Sequence, residues 1–233
     1  MKMHFLPKQK NTRIILAAIL VLIIVAAVVF KFLPFGMNQG NPTETAETAI
    51  ENLKNTPALS FRTVSTLTVA EQSREYGNIN GELLKNGDFH IKGSILGSQI
   101  DLYQIDSTTY RLDNVTANWQ KTTENAAFYQ TALFNETNPL EQFNITDMGD
   151  VQKTQGDEKD LFGYTFTPTL GKNSTSRYFT NITYTIYCSR QGELKKAVVT
   201  GDLTNNSVSG KLHILTVFNR LDDKYQITPP IIE

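Results

Sequence analysis

Residues 14–33 (IILAAILVLIIVAAVVFKFL) are apolar without periodicity, broken only by Lys31. At ~1.5 Å rise per residue, twenty such residues span ~30 Å, the thickness of a bilayer's hydrocarbon core, so the run predicts a transmembrane helix. After a short spacer, residues 34–41 with Gly36 and Gly40, the pattern becomes helical. Ala46, Ala49, Ile50 and Leu53 recur at 3.6 spacing, Pro42 and Glu44 suit a helix N-terminus, and Pro57 sets the stop. One amphipathic helix of this length needs a sheet to lie on.

The period then falls to two. Residues 60–70 place Phe61, Leu67 and Val69 on one face, and residues 78–85 form a second strand. Asn86-Gly87 is a type I′ hairpin signal. Phe89, Ile91 and Ile95 alternate with Asp88, His90, Lys92 and Ser94, which directs His90 to solvent. Gly97-Ser98 and Asp106-Ser107 are the next two-residue turns, with Ile100 and Leu102 on one face and Tyr103 and Ile105 on the other. Trp119 ends a further short strand. Residues 124–135 (ENAAFYQTALFN) read as a second helix carrying Phe128, Tyr129, Leu133 and Phe134, and Leu140, Phe143 and Ile145 continue the apolar pattern. Strands resume near 150–154, 161–168, 177–190, 193–204 and 211–219. The last (KLHILTVFN) is apolar on both faces, which predicts cover on both sides. Roughly ten strands and two or three helices fit one large antiparallel sheet curled around helices, a mainly β (α+β) class.

Charge orients this layout. The first 33 residues hold five of the 22 Lys and Arg and none of the 23 Asp and Glu, so residues 34–233 carry −6. Basic flanks stay on the cytoplasmic side, so residues 1–13 are read as a cytoplasmic tail and residues 42–233 as an extracytoplasmic domain, in a single-pass protein of the cell membrane. The seventeen unbroken apolar residues of 14–30 exceed the ~7–15 of a cleaved signal peptide. No A-x-A site follows them, and neither does a cysteine for lipid attachment, so the segment is read as an uncleaved signal-anchor. A mildly acidic domain without a basic stripe predicts no nucleic-acid partner. The single cysteine, Cys188, allows no internal disulfide and sits in an apolar strand, as a small buried hydrophobe would. No HExxH, CxxC, GxSxG or P-loop is present, and the three histidines are scattered, so no catalytic role, metal or cofactor is expected.

The domain resembles the LolA/LppX-like lipoprotein-carrier superfamily, nearest to its membrane-associated Gram-positive-type relatives of unknown function. The resemblance covers residues 42–230. It lies in the early helix, the run INGELLKNGDFHIKGSILGSQIDLYQIDSTTYRLD, NWQK, the aromatic helix leading into NPLEQFN, then LFGYTFTP, LKKAVVTGDL and GKLHILTVFN. It implies a half-open antiparallel β-barrel with covering helices, whose concave apolar face holds acyl chains or a lipidated partner. The lining candidates are Phe61, Leu67, Val69, Phe89, Ile91, Leu102, Trp119, Phe128, Leu133 and Phe143. A transmembrane tether departs from soluble or lipidated carriers and favours capture or hand-off of lipid or lipoprotein at the surface. The competing expectation is a non-enzymatic sensor or structural ectodomain. Its cytoplasmic tail is too short to signal, so it would act through protein contacts, including a membrane protein partner.

Overall fold

The computed structural model describes residues 40–106, 108–122, 138–156, 158–170, 179–205 and 208–232. The apolar segment 14–33, the helix expected over 124–135, and with it Phe128 and Leu133, lie outside the described residues. Among the described residues no helix is long and apolar enough to cross a membrane. Residues 40–233 form one compact unit.

Helix α1 (Pro42–Lys54) begins where the pattern places it. Asn41 caps it, its Oδ1 accepting from Thr43 N at 3.0 Å, with Pro42 filling a position whose N–H would have no helical partner. The expected stripe is the buried one: Ala46 and Ala49 are fully enclosed, and Ile50 and Leu53 nearly so. At the other end Lys54 Nζ donates to the Phe143 carbonyl at 2.7 Å, pinning the helix to a distant segment.

Apart from one 3-10 turn (Glu141–Phe143), the remaining regular structure among the described residues is β. Six strands run as a meander: β1 (Ala58–Val69), β2 (Gln72–Leu84), β3 (Phe89–Ile95), β4 (Ser98–Ile105), β5 (Thr108–Leu112) and β6 (Trp119–Thr122). A short β7 (Ile145–Asp147) pairs with β10 (Thr169–Leu170) in a separate ribbon. The second half supplies β8 (Gln152–Thr154), β9 (Phe162–Phe166), β11 (Phe179–Cys188), β12 (Leu194–Asn205) and β13 (Val208–Arg220). The eleven-stranded sheet has the order β6-β5-β4-β3-β2-β1-β13-β12-β11-β9-β8, antiparallel throughout. Two meanders are therefore spliced where the first strand meets the last. Among the described residues the edges β6 and β8 do not pair with each other, so the sheet is open and no barrel closes.

Alternation gives the sheet one apolar face. Phe61 of β1 faces Phe218 of β13, Ile91 of β3 faces Leu102 of β4, and Tyr184 of β11 lies between Phe166 and Val199; all are buried. α1 covers part of this inner face through β12 and β8.

Several local expectations change. β2 starts at Gln72, because Ala70 and Glu71 make a tight turn with both φ positive; residues 72–75 are exposed and polar, so no apolar alternation marked them. The Asn86-Gly87 turn is not type I′. Gly87 N donates to Leu84 O and Leu84 N to Asp88 O, with Gly87 rather than Asn86 in the left-handed region, a three-residue loop with a glycine bulge. The next turn is centred on Leu96-Gly97, one residue earlier than Gly97-Ser98, at φ 49° and 79°. β13 is covered on one side only. Leu212, Ile214 and Phe218 are buried, whereas Val217 on the other face is 38% exposed and Leu215 half-buried.

Candidate functional site

The inner face brings most of the predicted lining residues together. Phe61, Phe89, Ile91 and Leu102 project from β1, β3 and β4 onto one surface, each at most 4% exposed. Gly81 on β2 makes room among them, since a Cβ there would overlap the Phe61 ring. Leu67 and Val69 share that surface but lie nearer the β1–β2 turn and are only half-buried, as are Ile95 and Ile100 of the neighbouring hairpin. The face thus passes from sealed, at the end where α1 joins β1, to partly open at the end carrying the Ala70-Glu71 and Leu96-Gly97 turns.

Phe143 occupies a different part of the same face. A single 3-10 turn (Glu141–Phe143) carries its ring, fully enclosed, 6.2 Å from the rings of both Tyr184 and Phe218. Tyr184 in turn stacks on Phe166 at 5.6 Å and donates its hydroxyl to the Gln142 carbonyl at 2.7 Å. Burial raises the Tyr184 phenol far above its usual range and pushes the Cys188 thiol up to about 12, so both stay protonated. Under α1 the inner face is thus filled by protein. Beside it a groove of about 300 Å³ opens between α1 and the segment after the turn, floored by Ile50, Phe143, Ile145 and Met148 and rimmed by Glu47, Glu51 and Asp147.

Trp119 is placed elsewhere. It pairs with Leu112, which shares its face with Tyr110 and Tyr103, and its ring meets Tyr103 edge-on at 5.3 Å. Since Leu102 points inward, Trp119 belongs to the outer face. Period-two reading fails here because the loop between β5 and β6 separates Trp119 from strands of known phase.

The outer face holds a cluster that sequence reasoning missed. His90 is not turned freely to solvent: it stacks on Tyr103 with ring centroids 3.8 Å apart, its Nε2 lies 2.9 Å from Asp101 Oδ1, and its Nδ1 lies 3.7 Å from Glu82 Oε2. Lys92 Nζ reaches the other oxygen of Asp101 at 3.1 Å. Asp101, 8% exposed, is therefore a buried carboxylate with two partners, as a buried charge requires. Tyr225, from the chain after β13, joins at Glu82; burial, with the hydrogen bond and negative charge of Glu82, raises its phenol to about 12. Tyr103 is raised by burial and by the charges of Asp101 and Glu82. The signal available was the cross-strand set Glu82, His90 and Tyr103, legible only once the register of β2, β3 and β4 was fixed. Among the described residues no three His, Cys, Asp or Glu side chains converge to hold a metal ion.

An open, all-antiparallel sheet with a one-sided apolar face and a helix laid across it matches a solved structure. LprF from Mycobacterium bovis superposes with a TM-score of 0.50 at 7% identity, over 82% of this chain and 97% of that one. The chain therefore shares the fold of LprF. A DUF1329 family protein from Desulfovibrio piger aligns over 79% of this chain and 93% of its own at 9% identity, with a TM-score of 0.33, too low to bear on the fold. No family model matches the sequence, and no curated protein does. The shared fold gives the architecture and the faces of the sheet; the chemistry has to come from the residues on them.

Proposed function

We propose that this chain is a membrane-tethered, extracytoplasmic, non-enzymatic domain that takes up a lipid, or the acyl chain of a lipidated protein, on the inner face of its sheet. One observation carries the reading. The apolar surface of β1–β4 runs from Phe61, Phe89, Ile91 and Leu102, which are sealed, to Leu67, Val69, Ile95 and Ile100, which are half-exposed at one end. An acyl chain entering there would bury apolar area worth roughly 25 cal/mol per Å² on both partners. The tether rests on the apolar run 14–33 and its basic flank, and confines the domain to its own membrane.

The test is native mass spectrometry of residues 40–233 purified from a membrane-containing host, followed by organic extraction. A bound mass that resolves into acyl lipid is expected, and Leu67→Asp, a half-buried position, should lose that mass while the fold persists. A clean apo mass with no uptake of added fluorescent lipid would sink the reading. A second reading has an observation of its own. Phe143 already fills the inner face beneath α1, which suits a domain with a packed core working through protein contacts. The apo outcome would favour it.

A further inference from the structure

Two of the most exposed large apolar side chains among the described residues lie at the same end of the sheet, though apart in sequence. Leu96 is 79% exposed in the β3–β4 turn, and Val115 is 94% exposed in the loop between β5 and β6. β4 and β5 are adjacent and antiparallel, so β4's start and β5's end lie at one end of the sheet. Asn114 Nδ2 ties the β5–β6 loop to the start of β4 by donating to Gln99 O at 2.6 Å. The same end carries the half-buried Leu67, Val69, Ile95 and Ile100.

Neither tip is explained by folding. The Leu96-Gly97 turn has both central residues at positive φ, where Asn-Gly or Asp-Gly is favoured. A leucine there is disfavoured by its backbone conformation and by its exposure to water. Both tips are also held firmly. Leu96 N donates to Tyr76 O at 2.6 Å, at the bulge of β2. Asp113 Oδ1 accepts from Val115 N at 2.8 Å and Thr116 N at 2.9 Å, while Ala117 N donates to Asp113 O. Those backbone N–H groups also hold the Asp113 carboxyl below its usual range. Rigid loops thus present single apolar side chains, each flanked by small or polar residues: Gly97, Ser98 and Gln99 on one, Asn114 and Thr116 on the other.

We propose that this end of the sheet docks on a lipid bilayer, with Leu96 and Val115 inserted at the interface and the half-open end of the inner face held against the membrane. The proposal rests on the reading that the domain works beside a membrane. Two isolated side chains suit shallow insertion, where apolar groups enter the acyl boundary and polar neighbours stay among headgroups. They suit a protein partner poorly, since a stable protein interface needs ~800 Å² and ~20–30 residues on each side.

The experiment uses the full chain reconstituted in phosphatidylcholine–phosphatidylglycerol vesicles containing doxyl-labelled lipid. An environment-sensitive fluorophore is attached through Ser98→Cys or Thr116→Cys beside the two tips, or through Lys85→Cys at the opposite end. Native Cys188 is fully enclosed and stays unlabelled. Quenching is expected at 98 and 116 and not at 85, and it should be lost when Leu96→Asn and Val115→Asn are combined, asparagine being at home in the turn. Unquenched probes at 98 and 116, or quenching unchanged by the double substitution, would overturn the proposal. So would emission that shifts with protein concentration but not with doxyl lipid, which would signal a second copy. The probes report depth whether or not lipid occupies the inner face. Retained lipid with unquenched probes would remove only the docking end, and quenching of a lipid-free domain would remove only the cavity.

Discussion

Gly81 and Phe61 form a lock between two neighbouring strands. The Phe61 ring lies over the glycine so closely that any Cβ would overlap it, and Phe61 itself is enclosed. Gly81→Ala should therefore cost ~1–3 kcal/mol through overpacking. For a domain of this size that lowers Tm by ~2–4 °C per kcal/mol, which differential scanning calorimetry would read. Cys188 makes a different prediction. Its folded pKa of about 12 lies above the ~8.5 of an unfolded thiol. The buried neutral form then contributes stability that is complete below about pH 8.5 and is lost as pH rises toward 12. Tyr184, raised in the same direction, adds to the loss. Chemical denaturation at pH 7 and pH 11 should show the decline, and alkylation of Cys188 at pH 8 should require unfolding. Its burial was legible from the apolar run around it. The partners of His90 were not, because Glu82 and Asp101 come from other strands and enter only through register.

Strands were more readable than turns. Alternation located most of the long strands and the buried stripe of α1 because burial imposes a period on sequence. It could not find residues 72–75, where β2 projects beyond the core, nor the phase of Trp119 after a six-residue loop. It also could not tell that Leu215 and Val217 face an uncovered surface, since an apolar side chain on an open face looks the same in sequence as one beneath a helix. The β1–β13 pairing offers a test at this level. Thr63 Oγ1 and Thr216 Oγ1 lie 3.1 Å apart, buried, on the two strands that join the meanders. Thr216→Val should cost ~1–3 kcal/mol by leaving the Thr63 hydroxyl without that partner, while the double change to valine should recover much of it. A double-mutant cycle in urea measures the coupling. Phe143→Ala, at a fully enclosed ring that packs on two strands, should cost ~3–5 kcal/mol.

At the scale of the molecule, stability should grade across the sheet. β1 and β13 lie at its centre with long partners on both sides, whereas β6 and β8 are short edges of four and three residues. Amide hydrogen exchange should be slowest in β1 and β13 and fastest at β6 and β8. Uniform protection would contradict the open-sheet topology. Sequence reading reached the fold class because antiparallel hairpins are local. It placed the lining residues of β1, β3 and β4 on one surface for the same reason. The splice of first strand to last is non-local and left no mark in the pattern.

That splice has a consequence for how the chain is made. β1 emerges early during synthesis and pairs with β2, yet its other edge waits for β13, 145 residues later in the chain by the register of Leu67 with Leu212. Until translation reaches the C-terminus, the N-terminal meander stands with an unsatisfied edge and an uncovered apolar face, the template on which a second nascent chain could add a strand. On the extracytoplasmic reading proposed above, this delay would fall on the far side of the membrane, away from cytoplasmic chaperones. Premature stop codons anywhere before β13 should therefore yield aggregates or proteolytic fragments rather than a shortened working domain.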